Sequence, residues 1–135
     1  MAVLDATSIV NPALHFGWVH WPPNGARDVP CAFVPEMPNP LPGTDQATLG
    51  YPITAQYFDR VKSARADLRL YAGSAPKGTP VECHVTTPER PLNIECVPPN
   101  AYCLIPKRHL RKNTTYTVVA KVDDGESMVW RFRTR

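Results

Sequence analysis

The sequence predicts an all-β fold, an antiparallel β-sandwich of about seven strands, on three observations. Sixteen of its 135 residues are proline, more than twice the usual share of about 5%. Proline lacks the backbone donor and breaks helix interiors. Apolar residues alternate with polar ones at period two in several short runs, the mark of a strand with one buried face. Clusters of Gly, Pro, Asn and Asp recur between those runs at the spacing of turns.

The clearest strands lie at the C-terminal end. In "NTTYTVVAKV", Tyr116, Val118, Ala120 and Val122 alternate with Thr115, Thr117 and Lys121. "DDGE", Asp123 to Glu126, reads as a hairpin turn. In "MVWRFRTR", Met128, Trp130 and Phe132 then share one face, and Arg131, Arg133 and Arg135 share the wet one. Earlier, "YPITAQYF" offers Ile53, Ala55 and Tyr57 to one side, and "ADLRLYAG" offers Leu68 and Leu70 inward with Asp67, Arg69 and Tyr71 outward. "GSAPKGTP" is turn chemistry. "VECHVTT" sets Val81, Cys83 and Val85 on one face. "AYCLIP" buries either Tyr102 and Leu104 or Cys103 and Ile105, and the pattern does not choose. "FDRVKSARADLRL" has some helical spacing but no capping box, which predicts a single turn before the next strand. The expected strands fall near 26–32, 51–58, 66–72, 81–86, 101–106, 114–122 and 128–134.

The totals set bounds. The length suits one domain, and a hydrophobic fraction of 43% supplies a core. Net charge is +3 with 20% charged residues, too mild for a dedicated nucleic-acid binder. No apolar run reaches the roughly 18 residues that span a bilayer, so no membrane span is expected. "MAVLDATSIV" has neither the basic start nor the apolar stretch of a signal peptide. Residues 1–20 share the strand pattern less clearly and are taken as an N-terminal extension, linker or strand, with "HFGWVHW" the candidate strand. Residues 21–135 form the sandwich.

The stretch from Pro22 to Pro42 holds seven of the prolines. "PPNG" reads as a tight turn, and "ARDVP" as an edge strand, where a missing donor does no harm. Phe33, Met37 and Leu41 interleave the rest, which predicts an ordered, extended connection lying on the domain rather than a floppy linker.

Four cysteines, Cys31, Cys83, Cys96 and Cys103, fit two disulfides in an oxidising compartment. The plain alternative is four buried thiols. Of the three possible pairings, Cys83–Cys103 with Cys31–Cys96 is favoured, and Cys96–Cys103 is the rival. Cys96-x6-Cys103 is too open for a zinc signature.

Several phrases resemble a known family. "PPNGARDVP", "LIPKRHLRKNTTYTVVAKV" and "WRFRT" resemble the opening and closing strands of bacterial Ig-like domains. "VPEMPNPLPG", "GYPITAQYF", "VECHVTTPERP" and "CLIPKRHL" are similar to the Ig-like domain that follows CAP-superfamily (SCP-like) modules in secreted bacterial proteins. The resemblance covers about residues 20–135. It implies an Ig-like sandwich, a secreted or cell-surface location, and a neighbouring, CAP-like domain of the same polypeptide as partner. This chain departs in having Lys112-Asn113 before its Thr-Thr-Tyr phrase and an extra cysteine, Cys96.

No arrangement for catalysis is evident. There is no Gly-x-Ser-x-Gly phrase and no glycine-rich phosphate loop. Cys83 and His84, as strand neighbours, point to opposite faces. The expectation is therefore a non-catalytic accessory, structural or adhesion module with no cofactor. Two other classes stay open. His15, His20, His84 and His109 with Met37 and Met128 could ligate copper in the manner of small periplasmic CopC-like carriers, which share an Ig-like sandwich. The bland alternative is four surface histidines. Lys107, Arg108, Arg111 and Lys112, with Arg131 and Arg133, could form a basic patch for acidic cell-surface polysaccharide if their strands are neighbours. The bland alternative is a solvated turn.

Overall fold

The computed structural model describes residues 17–34, 41–58, 65–90, 100–122 and 127–135. Eight strands run through them: β1 (Trp18–Trp21), β2 (Ala26–Val29), β3 (Ile53–Tyr57), β4 (Ala66–Ala72), β5 (Cys83–Thr86), β6 (Ala101–Pro106), β7 (Thr115–Val122) and β8 (Ser127–Thr134). They make two four-stranded sheets. Sheet one has the order β1-β3-β6-β5, and sheet two the order β2-β8-β7-β4. All pairs are antiparallel except β2 with β8, which is parallel.

This order is that of an Ig-like sandwich, with the first, second, fifth and fourth strands of the Ig pattern in one sheet and the third, sixth and seventh in the other. The first strand is divided. Its first half, β1, pairs with β3, and its second half, β2, pairs with β8 in the opposite sheet. The proline-rich "WPPNG" makes the transfer. Ala26 N donates to Pro23 O at 3.1 Å, and Gly25 has φ +82°, the left-handed position that favours glycine in such a turn. "HFGWVHW" thus contributes a strand of sheet one, while residues 1–16 lie outside the described residues.

The core sits between the sheets. Ile53, Ala55, Val118, Ala120, Met128 and Trp130 are fully buried, and Leu70, Phe132 and Leu104 nearly so. These are the residues that the period-two pattern turns inward, because side chains of a strand alternate between faces. Tyr116 stacks on Phe132 with ring centroids 5.7 Å apart, and Trp18 lies between Tyr57 and Tyr102 at 5.2 and 5.9 Å. Such aromatic pairs add about 0.5–1.5 kcal/mol each beyond area burial.

A second, smaller cluster explains why the parity of β6 is ambiguous in the sequence. Tyr102 and Leu104 face the main core. Ile105, on the opposite face, is also buried, against Phe33, Leu41 and Leu49, with Cys103 packed alongside. The chain from Leu41 to Gly50 lies over the outside of sheet one, fixed by a bridge from Ala32 to Gly50 and by Gly50 N donating to Pro106 O at 2.9 Å. Both faces of β6 are therefore apolar. Phe33 and Leu41 are buried as expected of an ordered connection; Met37 lies outside the described residues, as do the "DDGE" turn and the turn predicted before β4.

The corner leading into β7 carries a further Ig-like feature. Tyr116 OH accepts a hydrogen bond from Arg111 N, five residues upstream, at 2.8 Å. A tyrosine at this place, bonded back to its own chain, is the tyrosine corner of Ig-like folds. Asn113, at φ +51°, makes the bend, and asparagine tolerates that conformation better than other non-glycine residues. Two residues beyond Tyr116, where many Ig domains carry a core cysteine, this chain has the fully buried Val118.

Candidate functional site

The structure disperses most of the residues that the sequence singled out. Among the described residues no disulfide joins Cys31, Cys83 and Cys103. The pairing favoured from sequence, Cys83 with Cys103, is excluded by register. Cys83 lies opposite Pro106 and Thr86 opposite Cys103. The two cysteines are thus offset by three strand positions, about 10 Å at the rise of a β-strand, beyond the 7 Å or so that a disulfide can bridge. Cys31–Cys96 and Cys96–Cys103 involve Cys96, outside the described residues. Cys83 Sγ instead points at Val81 O, 3.4 Å away. Burial pushes its thiol up to about 12, against the smaller opposing effect of the Lys107 ammonium. It stays protonated at neutral pH and is a poor nucleophile and a poor metal ligand.

The histidines do not converge either. No group of three or more His, Cys, Asp or Glu side chains able to hold a metal occurs among the described residues. His109 Nε2 donates to Ala47 O at 2.8 Å, fastening the exposed turn after β6 to the segment over sheet one. His84 is half-buried on the edge strand β5. Met128 is enclosed in the core. His15 and Met37 lie outside the described residues.

His20 corrects the expectation of a surface histidine. It is 9% exposed, and its ring stacks on Trp130 with centroids 4.0 Å apart and planes inclined by 20°. Nδ1 donates to Pro22 O at 3.3 Å, so Nε2 carries a lone pair. Neither Nε2 of His20 nor Nε1 of Trp130 has a hydrogen-bond partner, although both are buried. The signal was available in the sequence: His20 alternates with Val19 and Trp21 in the same phase as Trp18.

Burial holds the His20 imidazole below its ordinary 6.5, outweighing the Pro22 carbonyl, which acts in the opposite direction. The unfolded chain takes up a proton at this residue below about pH 6.5, whereas the folded chain resists it. The stability tied to neutral His20 is therefore complete above pH 6.5 and is lost as pH falls through the lowered folded value. The slope from one such group approaches, at most, about 1.4 kcal/mol per pH unit. Urea midpoints at pH 7.5 and pH 5.0 should show the loss, and His20→Phe, which keeps a stacked ring without a basic nitrogen, should reduce it. An unchanged pH dependence in that variant would place the acid sensitivity elsewhere.

The proposed basic patch is divided between the sheets. Lys107 and Arg108 follow β6 at the end of sheet one, where Lys107 N donates to Glu82 O at 3.0 Å. Arg111 and Lys112 sit at the other sheet, beside the end of β8. Thr134 Oγ1 donates to Arg111 O at 2.5 Å, and Asn113 N donates to Arg135 O at 3.3 Å. Arg131 and Arg133 project from the outer face of sheet two. Six residues named together from sequence thus fall into two groups, because β6 and β8 are not neighbours.

Exposed apolar residues gather elsewhere. Val19 and Trp21 of β1 stand on the outside of sheet one, with Phe58 just past β3. The Trp21 indole N–H donates to Tyr51 OH at 2.9 Å. No family model matches the chain, and neither a curated protein nor a solved structure matches it.

Proposed function

We propose that the chain is a non-catalytic Ig-like accessory module of a larger secreted or surface-attached bacterial protein, acting as a structural or adhesive unit beside a neighbouring domain. The observation that carries this reading is the way the chemically versatile side chains are spent. His20 is stacked in the core, Met128 fills it, Cys83 is held protonated by burial, and His109 fastens a turn. The complete Ig-like strand order supports an accessory role, and the phrases shared with domains that follow CAP-like modules support a partner of that kind. An Ig-like fold alone does not name a ligand.

An antibody raised against this domain, applied to fractions of the native cells, tests the reading. A band well above 15.0 kDa in the culture medium or on the cell surface is the expected result. A 15 kDa species confined to the cytoplasm would overturn it. The copper alternative predicts stoichiometric metal retained after gel filtration, and no described residues assemble a site for it.

A further inference from the structure

The geometry points to the outer face of sheet two, around Arg131 and Arg133, as a binding surface for an acidic polysaccharide. This assignment goes beyond the accessory role and does not depend on which domain lies beside the chain.

The face is built by alternation. In β8 the even-numbered residues Met128, Trp130, Phe132 and Thr134 are buried, which leaves Arg131 and Arg133 outward and exposed, followed by exposed Arg135. Successive outward positions on a strand are about 6.6–6.8 Å apart, so the three guanidiniums start from an evenly spaced row. Exposed Lys112 lies near one end of that row, since the next residue, Asn113, donates its N–H to Arg135 O at 3.3 Å. The neighbouring positions on β7 and β4 are less open: Thr115, opposite Arg133, and Tyr71, opposite Thr117, are half-buried, and Thr117, opposite Arg131, is fully buried with its Oγ1 donating to Gly73 O at 2.8 Å.

Two of the guanidiniums are held in place. Arg131 Nε donates to Ser74 O at 2.7 Å, while the backbone N of the same residue donates to Asn24 Oδ1 at 3.0 Å. Arg133 Nη1 donates to Thr115 Oγ1 at 3.2 Å. Each of the two side-chain bonds uses one guanidinium N–H and leaves others to meet a sulfate or carboxylate. A fork already oriented loses less freedom on binding. Of the acidic residues described nearby, Asp67 pairs with Arg69 at 3.5 Å, and Asp28 is the one exposed carboxylate of β2 beside β8. The row from Arg131 to Arg135 with Lys112 keeps its positive charge, complementary to a polyanion.

The surroundings favour a glycan over other anions. Single-stranded nucleic acid is held by bases stacking on aromatic side chains, but Trp130, Phe132 and Tyr116 point into the core, leaving half-buried Tyr71 on this face. A membrane surface needs apolar side chains beside the cations. The exposed large hydrophobics among the described residues, Val19, Trp21, Val34, Phe58 and Val85, belong to sheet one or the segment crossing it. A row of arginines without large exposed apolar side chains beside it fits a chain of acidic sugars.

The test is retention on immobilised heparin, with affinities for a heparin-derived oligosaccharide measured by calorimetry at low and physiological salt. The native chain should bind and be released by salt. R131Q/R133Q should weaken binding at least tenfold, while K107Q/R108Q, which removes the same charge from the other sheet, should change it less than twofold. R131K/R133K should fall between, because it keeps the charge and loses the fork. Circular dichroism melts of each variant identify any loss that comes from unfolding. Equal losses in the two Gln pairs would reduce the effect to net charge and overturn the site. Tighter binding of a single-stranded oligonucleotide or of phosphatidylserine vesicles than of the oligosaccharide would overturn the choice of a glycan.

Discussion

Trp130→Ala should lower the unfolding free energy by about 3–5 kcal/mol, the usual cost of deleting a large aromatic from a packed core. Trp130 is fully buried. It lies on the central strand β8, stacks on His20 of the opposite sheet and stands in register with Val118. It is therefore a point at which the two sheets meet. Against a typical total of about 5–15 kcal/mol, such a loss would leave the chain marginal. Trp130→Phe should cost distinctly less, because it keeps an aromatic ring over His20 and removes an indole N–H that is buried without a partner. Urea unfolding followed by far-ultraviolet circular dichroism measures both. A cost below about 1 kcal/mol for the alanine variant would mean that the sheets hold together without this contact.

Gly50→Ala should destabilise by about 1–3 kcal/mol through overpacking alone. A Cβ at this position would lie 2.5 Å from the Arg108 carbonyl oxygen and 2.7 Å from Pro106 Cβ. Neither obstacle is the free end of a flexible side chain, so backbone must move. The cheapest movement lifts the Leu41–Gly50 segment from sheet one, which would uncover Ile105 and Leu49. Gly43→Ala is the comparison. It meets nothing within 4 Å and is strained only by its φ of +83°. The distinguishing result is faster proteolysis between residues 41 and 50 in the Gly50 variant, together with a lower melting temperature. Native melting and native protease resistance in Gly50→Ala would show that the segment accommodates a methyl group.

Most of the sandwich was legible because strand alternation is local. Tyr116 to Val122, Met128 to Phe132, and Leu68 with Leu70 declare their buried faces within a few residues. What was not legible depends on pairs far apart in the chain. The parity of β6 fails as a signal because a distant segment covers its second face, so Ile105 looks outward-pointing and is nonetheless buried. The Cys83–Cys103 pairing fails because facing is a property of one strand, whereas separation depends on register between two. The basic patch divides for a related reason: Lys107 and Arg108 are near Arg111 in sequence, but the chain between them crosses from one sheet to the other, leaving Arg111, Lys112, Arg131 and Arg133 at sheet two. The tyrosine corner and buried His20 are different. Both were locally encoded: Tyr116 is read as buried, as it is, but alternation does not show that its hydroxyl bonds back to Arg111 N, and His20, in phase with Trp18, was missed because a polar group within an apolar pattern was read as exposed.

The division of the first strand has a mechanical consequence. β2 runs parallel to β8, so the start of the first strand and the end of the last lie at opposite ends of the sandwich. Tension applied through the two ends of the domain would slide β2 and β8 past each other along their length. Their hydrogen bonds, and the bond from Arg135 N to Val29 O, would then share the load together instead of parting one after another. The same N-terminal stretch grips β3 in the other sheet, so it cannot peel from one sheet without pulling on both. A fold arranged in this way can carry force between whatever is attached at its two ends.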